Sequence, residues 1–298
     1  MVRKRQKLPR RIREVAYAAP AGTPAGVEVL SLATLRSRAR EGALSAPQRP
    51  AFHHLLTLDS GMLWHTVDFT GYALAPGSWL WVRPGQVQQW HDLTKAEGTL
   101  ILFQPDFLDP ATAGLAAVQG PHPPAMRTAL GDDLAVLQLA TKHLQREFDC
   151  AQGLTREVHV AVLRHLLAAL VLRLAYPAGQ VRTPVGEHPD VFLRFRDAVE
   201  RDFTSTRRVE DYARALAYSP RTLSRATIAA TGVGAKEYID RRVILEAKRL
   251  LAHSDRAAAQ IATELSFSSA TNFSKYFHER TGTSPMAFRA DVRGKTSR

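Results

Sequence analysis

The stretch IATELSFSSATNFSKYFHERTGTSP, Ile261 to Pro285, decides how this chain is read, because its pattern also stands upstream as YARALAYSPRTLSRATIAATG, Tyr212 to Gly232. In each copy a small alanine (Ala213, Ala262) is followed by an apolar residue (Leu216, Leu265) and an aromatic one (Tyr218, Phe267). A serine cluster comes next, then an apolar anchor, a hydroxyl and a cation: Leu223-Ser224-Arg225 and Phe273-Ser274-Lys275. The alanines permit close helix approach and the leucines fill the angle between helices. Ser219-Pro220 suits an N-cap and first helical position, and Ser268 or Ser269 serves the second copy. Leu223, Phe273 and Phe277 should then face inward.

Helical spacing places Arg221, Ser224, Arg225 and Ile228 on one outward face, and Thr271, Ser274, Lys275 and His278 on the other. Arginine can grip guanine with two bonds, hydroxyls can meet base edges or phosphates, and lysine can do either. These residues are therefore expected to read DNA, with base and phosphate contacts both open for each. Arg280 and Arg289 are phosphate candidates. Two such helices in successive major grooves would sit about 34 Å apart. A longer helix, Ala235 to Ala252, separates the copies and would fix their spacing.

Charge agrees. The 298-residue chain carries a net charge of +12 and a pI near 10.2, which favours a polyanionic partner. Residues 1–20 hold seven basic side chains against one acid, and residues 190–298 hold twenty against thirteen. The stretch between is nearly neutral. The 45% apolar content argues against general disorder. Residues 1–20 read as a basic disordered arm, with phosphate contact as the alternative. No apolar core follows the N-terminal charges as in a signal peptide, and the run Leu166 to Leu172 is too short to span a bilayer. The reading is cytoplasmic, with no membrane partner. The single cysteine, Cys150, excludes an intrachain disulfide and reads as a buried small hydrophobe.

From Val27 to about Leu108 the pattern changes to short apolar and aromatic runs broken by turn signals: Phe52–Leu58, Met62–Phe69, Ser78–Val82, Val87–His91 and Thr99–Phe103. Even spacing of this kind indicates an antiparallel barrel or sandwich. Asp132–Phe148 and Leu154–Tyr176 should be helices. The second is apolar on more than one side, which burial within the monomer or against a second subunit would satisfy equally. Residues 177–189 read as a linker.

The C-terminal region, Val209 to Arg289, resembles the DNA-binding domain of the AraC/XylS family of bacterial transcription regulators. The likeness rests on Ile261-Ala262, Phe267, Phe273-Ser274-Lys275, Phe277, Gly282 and Ser284-Pro285. Lys275 stands where the family has arginine, Ser266 where it often has glycine, and Gly234-Ala235 where it has Ser-Pro. The resemblance places base-reading sites at Arg221, Ser224, Arg225, Ala270, Thr271, Ser274 and Lys275. The stretch from Tyr72 to Leu93, with Pro76-Gly77, Pro84-Gly85 and His91, resembles the cupin-like barrel in which many of these regulators sense an effector. The implied fold is α+β: an N-terminal cupin-like antiparallel β-barrel with helices (residues 21–176), then an all-α domain with two helix-turn-helix units (190–298). The implied partners are double-stranded DNA, a small-molecule effector, a second subunit held through residues 132–176, and RNA polymerase, with activation favoured over repression.

Within the barrel segment, Trp64, Trp79, Trp81, Trp90 and His91 are candidates for an effector pocket, and plain core packing is the competing reading for each tryptophan. Gln86, Gln88, Gln89 and Arg83 could add polar contacts. His53, His54, His65 and His91 invite a metal reading, but His53 and His54 are adjacent and point to opposite faces of a strand. No catalytic triad spacing or phosphate-binding glycine loop is present. Neither a cofactor nor enzymatic activity is expected. An effector-independent dimeric regulator, a cupin-type enzyme fused to a DNA-binding domain, and a nonspecific architectural protein are the competing functions.

Overall fold

Strands that are apolar on both faces imply a sheet covered on both sides, and the N-terminal half contains one. A computed structural model describes residues 12–19, 23–39, 44–116, 125–150, 153–176 and 189–295. The chain divides into two units, Arg13–Arg182 and a second that includes Thr183–Arg298. The strands of the first unit are β1 (Arg13–Val15), β2 (Val27–Ser31), β3 (Gln48–Pro50), β4 (His53–Ser60), β5 (Leu63–Val67), β6 (Thr70–Leu74), β7 (Ser78–Val82), β8 (Gln88–Trp90), β9 (Glu97–Phe103) and β10 (Met126–Thr128). Its helices are α1 (Leu32–Arg38), α2 (Pro110–Leu115), α3 (Gly131–Asp149) and α4 (Arg156–Ala175).

The expected cupin-like barrel is not formed. The strands make two open five-stranded sheets, β1-β3-β8-β5-β6 and β10-β7-β4-β9-β2, and neither closes on itself. The first is mixed, since β1 runs parallel to β3. Even spacing of strands cannot distinguish closed from open sheets, because closure depends on which edges pair. Here the alternation along β4, β7 and β9 divides their side chains between two cores. Leu56, Leu58, Leu80, Val82 and Leu100 join Leu63, Val67 and Trp90 of the other sheet. Leu55, Trp79, Trp81, Ile101 and Phe103 pack instead with Leu137 and Leu144 of α3 and with Leu163, Leu167 and Val171 of α4.

Helix α4 is long and apolar enough to cross a membrane. Leu163, Leu167, Leu170 and Val171 are nonetheless buried in this core, whereas Val158 is exposed. Cys150, expected to be buried, is exposed beyond the end of α3. Residues 1–11 of the expected arm and 177–188 of the expected linker lie outside the described residues. Arg13–Val15, read as part of the arm, is strand β1, and Pro189 already opens a helix.

The second unit is helical in all its described elements: α5 (Pro189–Asp202), α6 (Val209–Ala215), α7 (Pro220–Thr231), α8 (Ala235–His253), α9 (Ala258–Glu264), α10 (Ala270–Thr281) and α11 (Pro285–Lys295). Ala213, Leu223, Ala262, Leu265, Phe273 and Phe277 share one core with Ile239, Val243, Ala247 and Leu251 of α8. The connecting helix is therefore the common floor of both helix pairs.

Candidate nucleic-acid interface

The two helix pairs are closed by the same backbone device. After α6, Leu216 ends the helix and Ala217 turns to φ 58°; after α9, Leu265 and Ser266 do the same at φ 52°. The next amide reaches back five residues, Tyr218 N donating to Ala213 O at 2.9 Å and Phe267 N to Ala262 O at 2.8 Å. This left-handed closure satisfies carbonyls left open at the helix end and aims the aromatic into the core. The second turn is one residue longer, which settles its cap. The Ser269 hydroxyl accepts from Asn272 N at 3.1 Å, as that of Ser219 does from Thr222 N at 3.0 Å, and Ser268 Oγ accepts from Asn272 Nδ2. Helices α7 and α10 both span twelve residues and end at left-handed glycines, Gly232 (φ 78°) and Gly282 (φ 73°).

The outward faces match the spacing. Arg221, Arg225 and Ile228 are exposed on α7, and Ala270, Thr271, Lys275 and His278 on α10. Ser224 and Ser274 are half-buried. Ser224 Oγ accepts the amide of Ala235 at 3.3 Å, so it caps the start of α8, where Gly234 has no side chain to do so. Arg280 and Arg289 are engaged internally. The Arg280 guanidinium donates to Asp240 at 2.8 Å and 3.1 Å and lies 3.7 Å over the Tyr276 ring. Arg289 donates to the backbone carbonyls of Leu251 and Arg256, tying α11 to the end of α8.

Sequence spacing missed the residues that hold the two pairs together. Asp240, buried on α8, accepts from Lys236 Nζ (2.5 Å), the Tyr276 hydroxyl (2.6 Å) and Arg280, locking α10 to the connecting helix. Burial alone would raise its pKa, and the three donors together bring it below the usual aspartate value. Arg207 precedes the first pair but caps the second: it donates to Leu265 O at 2.6 Å and lies 3.8 Å over the Phe267 ring. Arg242 of the connecting helix is buried between Glu200 of α5 (2.8 Å) and Glu246. An acid on the apolar side of a helix was the available signal for Asp240. The contact of Arg207 spans 58 residues and leaves no mark in local spacing.

In the first unit the candidate effector residues are dispersed. Trp79 and Trp81 share a strand face as predicted, but that face packs on α3 and α4. Trp90 is buried between the sheets, and Trp64 is exposed with its ring close to Gly71. His91 is exposed and hydrogen-bonds Thr66 Oγ1 at 3.0 Å. His53 and His54 do point to opposite faces. His53 stacks on Phe103, while His54 meets Gln88, which also meets His65, so these three side chains bridge the sheets. Burial holds His54 and His65 neutral, each with a pKa lowered to about 3. Among the described residues no three His, Cys, Asp or Glu side chains gather as metal ligands.

Comparison with known proteins agrees with the C-terminal geometry. A family described as "Helix-turn-helix domain" matches residues 212–291. The regulatory protein PocR of Salmonella typhimurium is 32% identical over 100 residues, covering 34% of this chain and 32% of PocR. The chain thus spans about a third of that relative. The HTH-type transcriptional activator RhaS of Escherichia fergusonii is 24% identical over 244 residues, covering 80% of this chain and 85% of RhaS. Among solved structures, ToxT from Vibrio cholerae covers 89% of this chain and 98% of its own at 12% identity and a TM-score of 0.40. The DNA-binding domain of AdpA in complex with a target DNA covers 36% of this chain and 96% of its own, at 27% identity and a TM-score of 0.33. Both curated relatives carry the names of regulators, RhaS that of a transcriptional activator.

Proposed function

We propose that the chain is a helix-turn-helix regulator of the AraC/XylS type, that it reads a two-part operator through α7 and α10, and that it responds to a small molecule held by its N-terminal unit. The observation that carries this reading is the pairing of two equivalent helix-turn-helix units on one connecting helix, each presenting exposed cations. Arg221 and Arg225 of α7, and Thr271 and Lys275 of α10, are the base-reading candidates. Ala270, His278 and the half-buried Ser224 and Ser274 complete the surface. Arg280 and Arg289 serve DNA binding indirectly, by positioning α10 and α11.

The operator parts lie about one helical turn apart, on one face of the duplex. Two chains associate through residues 132–176, where Val136 and Leu139 of α3 and Val158 of α4 are exposed apolar side chains. The effector shifts the affinity of this assembly for its operator, with activation as the output and RNA polymerase as the further partner. The site of action is the cytoplasm, where bacterial DNA lies.

Genome-wide mapping of bound DNA in living cells, followed by titration of purified protein against the mapped sites, tests the reading. Bound sites should share a two-part motif and bind at least 1,000-fold more tightly than random sequence, as specific regulators do. Equal affinity for random and mapped DNA would leave a nonspecific architectural protein in its place.

A further inference from the structure

Ser224 and Ser274 hold equivalent places on the two reading helices, yet only Ser224 has a backbone amide to serve. Both are half-buried, and each directly follows an inward anchor, Leu223 or Phe273, on a helix that ends at a left-handed glycine. The segments after the glycines differ: Val233-Gly234-Ala235 in the first copy, Thr283-Ser284-Pro285 in the second. In the second copy Ser284 Oγ accepts from Ala287 N at 3.2 Å, and Pro285, which opens α11, carries no N–H. The start of α11 therefore asks nothing of Ser274.

The first copy lacks both devices. Gly234 is the N-cap of α8 and has no side chain, and Ala235 brings an amide to the first helical position. Ala235 is fully buried, so water cannot accept from that amide. Its acceptor is Ser224 Oγ at 3.3 Å. The backbone does not impose this arrangement. Gly234 stands at φ −72° and ψ 161°, extended geometry that suits any residue, including one before proline. A Cβ on Gly234 would meet Ser224 Oγ at 3.6 Å, an ordinary contact. The capping hydroxyl has thus moved from the connecting segment onto α7, beside the exposed Arg221 and Arg225.

We infer that Ser224 is a positioning residue: its hydroxyl ties α7 to the start of α8, and the base choice of the first helix-turn-helix unit falls to Arg221 and Arg225. The part concerning base choice rests on the operator reading above, whereas the tie between the helices does not.

The test compares Ser224→Ala, Ser224→Thr and Ser274→Ala in the full chain. Thermal unfolding is followed by titration against a mapped operator and its single-base-pair variants. Ser224→Ala leaves the Ala235 amide without an acceptor and should lower the Tm of the helical unit by about 4–8 °C. Ser224→Thr keeps the hydroxyl and should recover most of that loss. Ser274→Ala should stay within about 1 °C of wild type. In a Gly234→Ser/Ala235→Pro background, which copies Ser284-Pro285, Ser224→Ala should no longer lower Tm. On DNA, Ser224→Ala should weaken binding to the operator and to every variant by one common factor of about 5, leaving base preferences unchanged. Loss of preference at a single base pair at wild-type Tm would make Ser224 a base reader and overturn the inference. Equal Tm losses for Ser224→Ala and Ser274→Ala, or an undiminished loss in the Gly234→Ser/Ala235→Pro background, would overturn it as well. Should no DNA be bound specifically, the operator reading fails, and the Tm comparisons still decide the tie.

Discussion

Replacing Asp240 with asparagine should uncouple the second helix-turn-helix unit from its support. In the wild type the carboxylate receives Lys236, Tyr276 and both donors of the Arg280 fork. Asparagine keeps the shape and one acceptor but removes the charge. A hydrogen bond to a charged group contributes about 1.5–3 kcal/mol when buried. The Lys236 side chain is 53% exposed, so its share is screened towards the surface-pair value of under about 1 kcal/mol. Weighing Tyr276 and Arg280 most heavily, Asp240→Asn should cost roughly 2–4 kcal/mol of stability. The loss should be pH-dependent. Because the folded pKa is lowered, the carboxylate's stabilisation is complete above the ordinary aspartate value of 3.8 and disappears as pH falls through the folded pKa. Urea unfolding of wild type and variant at pH 7 and pH 3 checks both points: the difference should be largest at pH 7 and shrink at pH 3. The same variant should lose operator affinity. Unchanged urea midpoints at pH 7 together with unchanged affinity would refute the assignment of Asp240 as the lock between α8 and α10.

Other perturbations separate supporting residues from reading residues. Ser266 holds φ 52°, which costs a non-glycine residue about 1–2 kcal/mol, so Ser266→Gly should stabilise by about 0.5–1 kcal/mol net of its greater unfolded-state freedom; a lowered urea midpoint would contradict this. Arg225→Ala or Lys275→Ala should weaken operator binding by roughly 1–3 kcal/mol if each meets a base, and unchanged affinity in both would remove them from the reading face. Arg289→Ala should instead lower Tm, since its two bonds to backbone carbonyls are internal, and should leave the salt dependence of DNA binding intact; a shallower salt slope at wild-type Tm would reverse that assignment. His54 and His65, both with pKa values near 3, favour the folded state only while neutral. The unfolded chain takes up protons first as pH falls, so each should cost about 1.4 kcal/mol per pH unit below about 6.5. A flat stability profile between pH 6.5 and 5 would contradict their burial as neutral rings.

The C-terminal half was largely legible in the sequence because its information is local. Ser219-Pro220, Gly232, Gly282 and the inward anchors each specify a cap, a stop or a packing position within a few residues. The first unit was legible as strands but not as an arrangement, since barrel and open sandwich differ in pairings between residues far apart in the chain. Trp79 and Trp81 carried the right periodicity with no indication that helices, and not a cavity, cover their face. The internal partners of Arg280 and Arg289, both expected at phosphates, were not legible for a related reason. A cation near the end of a helix can turn to solvent or inward, and only the positions of Asp240, Leu251 and Arg256 decide between them.

The central claim is that both helix-turn-helix units read DNA together. Hydroxyl-radical footprinting of the protein on a mapped operator tests it most directly. Two protected patches about 10 base pairs apart on one face of the duplex are predicted for each bound chain, with Arg221→Ala opening one patch and Lys275→Ala the other. One protected patch that answers to a single unit, with the other unit's variant indistinguishable from wild type, would contradict it.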